Sequence, residues 1–177
     1  MYDLQLTNGE VLDMFYNMVR GWFRPAKEDY NDFVTALLGN DVEAMNVYMN
    51  EITMEIFSYF DTEVKPSRTP SARFYHGFIL GLIVELREKY VITSNRESGY
   101  GRYDVMLEPR NCHEDAYILE FKVFQANKEK NLEETVKTAL KQIEEKQYTA
   151  ILETKGITKE CIHKYGFAFD GKRVLIG

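Results

Sequence analysis

The chain has 177 residues, 45% of them hydrophobic with 11 Phe and 12 Tyr, which suits one globular domain, or one domain with a helical appendage. Cys112 and Cys161 lie in unrelated contexts and form no CxxC pair, which argues against a zinc site or a disulfide framework and for free thiols in a reducing cytosol. The longest apolar run, Phe78 to Val84, falls far short of the ~20 residues a bilayer span needs, and no signal peptide precedes the first helical pattern, so the expected setting is cytoplasmic and away from membranes.

In chain order, residues 8–23 read as a helix capped by Thr7 or Asn8, with Val11, Leu12, Phe15, Met18, Val19 and Phe23 at helical spacing and Pro25 ending it. Residues 27–39 and 41–60 read as two further helices, divided by Gly39-Asn40, with Asp41 as cap of the second. Their apolar positions suit a small bundle, so 1–65 reads as a helical N-terminal segment. Asp61 to Ser71, with Pro66 and Pro70, marks a boundary to a second unit over 70–177. That unit opens with a strongly apolar helix over 72–89, in which Gly77 and Gly81 are expected to lie in close contact with a sheet. A strand follows over 91–96, then a turn over 98–101. Two strand-like runs come next, 102–107 and 117–124, joined by a hairpin-like connection over 108–115. A charged helix spans about 132–146, a short strand or turn lies near 149–152, and 166–170 with 172–176 form a hairpin across Asp170-Gly171.

The two central runs carry charges where strands are otherwise apolar. Asp104 sits in the first, Glu120 and Lys122 in the second. Strand side chains alternate, so Glu120 and Lys122 share one face, while Leu119, Phe121 and Val123 share the other. Burying ionised groups is expensive unless they are paired or bind a metal. Antiparallel pairing of the two runs would bring Asp104 towards Glu120, which is how a magnesium-dependent phosphodiesterase site is commonly assembled. Glu-x-Lys by itself says little, for it occurs four times, at Glu63, Glu120, Glu144 and Glu153, and only the copy at Glu120 is flanked by β-branched and aromatic residues. The alternative is an edge strand whose wet face carries a solvated ion pair.

Asp104 followed by Glu120-x-Lys122 resembles the PD-(D/E)XK nuclease superfamily. The surrounding blocks, Phe74 to Gly77, Ser94 to Asp104, Ala139 to Tyr148 and Tyr165 to Lys172, resemble the PD-(D/E)XK-type domain found at the C-terminus of bacterial AAA-ATPase-like proteins, over roughly residues 70–177. Residues 1–65 resemble the helical segment joining that domain to the ATPase. Tyr103 stands where the superfamily signature has proline, and no Gly-x-x-x-x-Gly-Lys-[Ser/Thr] loop occurs in the chain. The resemblance implies an α/β fold with a restriction-endonuclease-like core, a mixed central sheet flanked by helices in the order αβββαβ, preceded by the helical segment. It further implies Mg²⁺, with Mn²⁺ as a substitute, held by Asp104, Glu120 and the carbonyl of Phe121. Lys122 would act on the attacking water or stabilise transition-state charge. Gln142, with Tyr148 after it, matches a glutamine that reaches the site in related nucleases; the alternative places it on the solvated face of a polar helix. His76 and Glu85 are candidates for a first-helix position, though a lone His on an apolar helix also suits a hydrogen-bonded core residue. Glu97 is a candidate close to Asp104, and Arg102 would bind phosphate or neutralise the acids. DNA and an ATPase domain or protein are the implied partners.

The formal charge of −6, from 22 Lys and Arg against 28 Asp and Glu, leaves two readings. Either the acids lie away from the site, on positions such as Glu133, Glu134, Glu144 and Glu145, or the domain does not hold nucleic acid alone. A catalytically silent nuclease-fold module that partners an ATPase is therefore the alternative to a DNA-cleaving enzyme.

Overall fold

Side chains that cap their own backbone set the first boundaries. Asn31 accepts a hydrogen bond from the Val34 amide (3.0 Å) and opens α1, Asp32–Leu38, which is shorter than the helix expected over 27–39. Gly39 and the left-handed Asn40 (φ 54°) stop it, and Asp41 accepts from the Ala44 amide (2.9 Å) to start α2, Val42–Phe60. The computed structural model describes residues 31–60, 72–94, 97–98, 101–102 and 104–177. The helix read over 8–23 and the boundary over 61–71 lie outside the described residues. The next helix, α3, Ala72–Ile83, tightens into a 3₁₀ turn, Val84–Glu88, instead of continuing to 89; consecutive β-branched Ile83 and Val84 mark the change. Gly77 is exposed, with nothing within 4 Å of where a Cβ would stand, so the expected close contact with the sheet is absent there.

The strands are β1, Tyr90–Ser94; β2, Glu97–Ser98; β3, Gly101–Arg102; β4, Val105–Pro109; and β5, Ala116–Val123. Then come α4, Leu132–Glu145, α5, Thr149–Glu153, β6, Ile162–Asp170, and β7, Arg173–Ile176. Asn131 caps α4 by accepting from the Glu134 amide (3.0 Å). The Thr149–Leu152 stretch, expected as strand or turn, is the short helix α5. Gln147 takes a left-handed conformation (φ 50°) that redirects the chain, and burial of Tyr148 and Leu152 overrides the β-preference of Thr149 and Ile151.

The five-stranded sheet runs β1-β4-β5-β6-β7, with β5 and β6 parallel and the other neighbours antiparallel; β2 and β3 form a separate small hairpin. β6 begins four residues earlier than the expected 166, because Ile162 to Tyr165 pair with Ala116 to Leu119. Its turn into β7 is Gly171-Lys172, one residue beyond the expected Asp170-Gly171, since Asp170 pairs with Arg173 and Gly171 supplies the positive φ of 59°. Each face of the sheet has its own core. Phe33, Leu37, Met45, Met49, Tyr75 and Ile79 of α1 to α3 pack on Leu119, Phe121, Phe167 and Phe169. Ile143 of α4, with Tyr148, Leu152 and Ile157, packs on Met106, Ile118 and Ile162. Helices α1 and α2 thus share one core with residues 72–177.

Candidate active site

The alternation in β5 places Ile118, Glu120 and Lys122 on the α4 side and Leu119, Phe121 and Val123 on the α1–α3 side. β4 and β5 pair in the register Val105↔Leu119, Met106↔Ile118 and Leu107↔Tyr117, so one step further puts Asp104 opposite Glu120. Asp104 was expected inside a strand over 102–107. It lies instead in a bend just ahead of β4, and its Oδ2 accepts a hydrogen bond from the Phe121 amide (2.8 Å). The β4 ladder does not reach Phe121, so its amide is available to the carboxylate, and the carbonyl of the same residue points the same way.

Glu120 is 2% exposed. Its Oε1 accepts from Gln142 Nε2 and lies 3.6 Å from Lys122 Nζ. Lys122 Nζ also donates to Gln142 Oε1 (2.7 Å), so one amide bridges both charged groups. Glu120 Oε2 is buried and has no hydrogen-bond partner among the described residues. Burial, followed by the charge of Asp104, pushes the Glu120 carboxyl up to about 8, against the opposing pull of Lys122. Lys122 and Gln142 therefore compensate only one oxygen of a carboxylate whose ionised form a further cation would favour.

Gln142 is on the inward flank of α4, beside buried Ala139 and Ile143, not on a solvated face. The helix reaches the sheet closely enough because position 166 is glycine. A Cβ there would stand 2.8 Å from the Val136 carbonyl and 3.0 Å from Ala139 Cβ, and Gly166 is the register partner of Glu120. Sequence reading passed over this residue, although a glycine inside a strand is the usual signal of close backbone approach. Tyr148 is fully buried and shares a hydrogen bond with the Gln142 side chain; burial raises its phenol above the usual tyrosine range.

Two candidates are placed elsewhere. His76 packs edge-on to the Phe121 ring (5.4 Å) on the opposite face of the sheet and bonds to Ser94 Oγ (2.6 Å), so it is a buried partner of the α1–α3 core. Glu85 accepts from the Asn31 backbone amide (2.9 Å) and side chain (2.8 Å) and braces the start of α1. The sequence could not show which way the first helix of the unit would turn. Glu97 and Arg102 pair across the β2–β3 hairpin, and their side chains, like Tyr103, lie outside what is described.

Among the described residues no three His, Cys, Asp or Glu side chains are grouped to hold a metal. Asp104, the Phe121 carbonyl and Glu120, whose Oε2 is buried without a partner among the described residues, are hard oxygen donors of the kind that suits a hard divalent cation. No helix among the described residues is long and apolar enough to cross a membrane.

A family model of the PD-(D/E)XK nuclease superfamily matches residues 72–177. No curated protein and no solved structure matches the chain. The matched stretch contains β4, β5, α4 and the carboxylate–lysine pair, and its mixed five-stranded sheet flanked by helices is of the restriction-endonuclease-like kind. With more than half its length matched, the chain belongs to the PD-(D/E)XK nuclease superfamily, whose members generally use divalent metal ions.

Proposed function

We propose that this chain is a Mg²⁺-dependent nuclease that hydrolyses DNA phosphodiester bonds. The observation that carries the reading is the buried, unpartnered Oε2 of Glu120 beside Asp104, with Lys122 and Gln142 already in contact. A structural ion pair would satisfy both carboxylate oxygens. A divalent cation held by Asp104, Glu120 and the Phe121 carbonyl would supply an acidic bound water and neutralise charge at the scissile phosphate. Asp104 is kept in place for that task by the Phe121 amide. Lys122, 24% exposed at its side chain, can reach out of the pocket to donate to a non-bridging phosphate oxygen and stabilise charge as the phosphorus becomes five-coordinate. Gln142 holds the ammonium and the carboxylate apart at fixed spacing.

The charge distribution supports nucleic acid as substrate. The five acids between residues 31 and 60, Asp32, Asp41, Glu43, Glu51 and Glu55, are accompanied by no lysine or arginine. Residues 72–177 carry 17 basic and 16 acidic side chains, a net +1, so the surplus behind the overall −6 lies before the nuclease domain. Glu133, Glu134, Glu144 and Glu145 are balanced within it. We infer further that the domain works with an ATPase domain or protein, as its resemblance to domains that follow AAA-ATPase-like segments suggests. The silent-module alternative rests on the same acidic helices, which offer a surface away from the site.

Cleavage of plasmid and linear single-stranded DNA with Mg²⁺ and Mn²⁺, comparing wild type with Asp104→Ala and Lys122→Ala, tests the reading. Metal-dependent cutting lost in both variants is expected. No cutting by the wild type, with no metal-induced stabilisation, would move the assignment to the silent module.

A further inference from the structure

Helix α2 runs beside the outer edge of β7, where a sixth strand would stand. Ile176 donates its amide to Asn46 Oδ1 (2.8 Å) and accepts at its carbonyl from Asn46 Nδ2 (2.9 Å). Val174 does the same with Asn50 (3.0 and 2.8 Å), and the Lys172 carbonyl accepts from the Thr53 hydroxyl (2.8 Å). Side-chain amides thus reproduce the donor and acceptor of a neighbouring strand. The spacing works because four helical residues rise ~6.0 Å and two strand residues advance ~6.8 Å. Each Asn Nδ2 also donates four residues back, to Val42 O (2.9 Å) or Asn46 O (2.8 Å), which fixes the plane of the amide.

β7 leads directly into Gly177, which exchanges backbone hydrogen bonds with Gly166 (2.8 and 3.1 Å). These two glycines form the floor on which α4 rests. A Cβ at Gly177 would stand 3.1 Å from Val136 Cγ1, and one at Gly166 would meet the Val136 carbonyl at 2.8 Å. α4 carries Gln142 to Glu120 and Lys122.

We propose that Asn46 and Asn50 are positioning residues for the carboxylate–lysine site. By holding the edge of β7 they set the floor beneath α4 and hence the place of the Gln142 amide. This rests on the reading of that site as a divalent-metal site. Both asparagines lie on α2, which precedes the family-matched stretch, so the site draws support from outside it.

The test compares wild type, Asn46→Leu/Asn50→Leu, and Val34→Ala, which shortens a buried α1 side chain without touching the β7 edge. Hydrogen exchange is followed on the metal-free proteins, and Mn²⁺ affinity is measured by calorimetry. The ladder variant is expected to exchange faster over Gly166–Gly177 and α4 and to bind Mn²⁺ up to about tenfold more weakly, the low end for disturbing a group that hydrogen-bonds a metal ligand, as Gln142 does Glu120. Val34→Ala is expected to bind as the wild type does. Unchanged affinity or unchanged α4 exchange in the ladder variant overturns the proposal alone. So does an equal loss of affinity in Val34→Ala, which would mark general destabilisation. A wild type that binds no Mn²⁺ overturns the site reading and this inference with it.

Discussion

Replacing Glu120 by Gln isolates the contribution of one buried charge. Folding raises the Glu120 carboxyl from 4.5 to about 8, so the folded chain holds that proton more tightly than the unfolded chain. Its stabilising contribution is complete below about pH 4.5 and is lost as the pH rises through about 8. At about 1.4 kcal/mol per pH unit, the upper bound on the loss is roughly 5 kcal/mol. For a chain of this length ~1 kcal/mol moves the melting point by roughly 2–4 °C, which sets a ceiling on the order of 10–20 °C. Glu120→Gln keeps the shape and the bond to Gln142 but cannot ionise. Thermal melts without metal, followed by circular dichroism across that pH window, should therefore show the wild type falling below the variant as pH rises. Added Mg²⁺ should restore the wild type at the alkaline end, because the cation compensates the carboxylate, and should leave the variant unchanged. Titrating groups remote from Glu120 are common to both proteins and cancel in the difference, which reports Glu120 together with its coupled neighbours Asp104 and Lys122. Curves that stay parallel across the window would refute the assignment of Glu120 as a buried acid only partly compensated by Lys122.

Three other substitutions separate roles. Lys122→Ala should lower DNA cleavage by about 10²–10³-fold, the range for loss of one preorganised charge-stabilising donor, while thermal stabilisation by Mg²⁺ persists. A variant that also stops responding to Mg²⁺ would show that Lys122 holds the pocket together. Gly166→Ala forces a methyl against the Val136 carbonyl and should lower the urea midpoint by the equivalent of about 1–3 kcal/mol, with weaker cleavage as α4 shifts; an unchanged midpoint would mean that the helix yields freely. His76→Ala removes the Ser94 bond and the contact with Phe121, so it should destabilise by about 1–3 kcal/mol yet keep cleavage within a few-fold of wild type. A loss as deep as that of Lys122→Ala would place His76 in the chemistry.

The parts of the site that could be read from sequence depend on period and register. Alternation alone put Glu120 and Lys122 on one face, and a hairpin between two runs put Asp104 near them. Gln142 was implied by the family resemblance and not by periodicity; the structure turns the stripe of Val136, Ala139 and Ile143 to the sheet and brings Gln142 to Glu120 with it. What could not be read depends on tertiary packing. The chain leaves the ladder before Asp104 because the carboxylate takes a backbone amide that a longer strand would have occupied. The parallel start of β6 at Ile162 has no local signature, since His163 and Lys164 read as polar link until Ala116 and Tyr117 are beside them. His76 on α3 and Glu85 in the 3₁₀ turn after it are oriented by contacts with Phe121 and Asn31, both distant in sequence.

Phe121 serves two clients from one position. Its ring belongs to the aromatic cluster with His76, Phe167 and Phe169, while its main chain anchors Asp104 across the sheet. The proposed site draws only on peptide atoms there, so the choice of side chain is left to the core behind it. Under that proposal any apolar residue that fills the space would serve, which is a physical reason for the middle letter of a Glu-x-Lys motif to be blank: the position is constrained by packing on the far face.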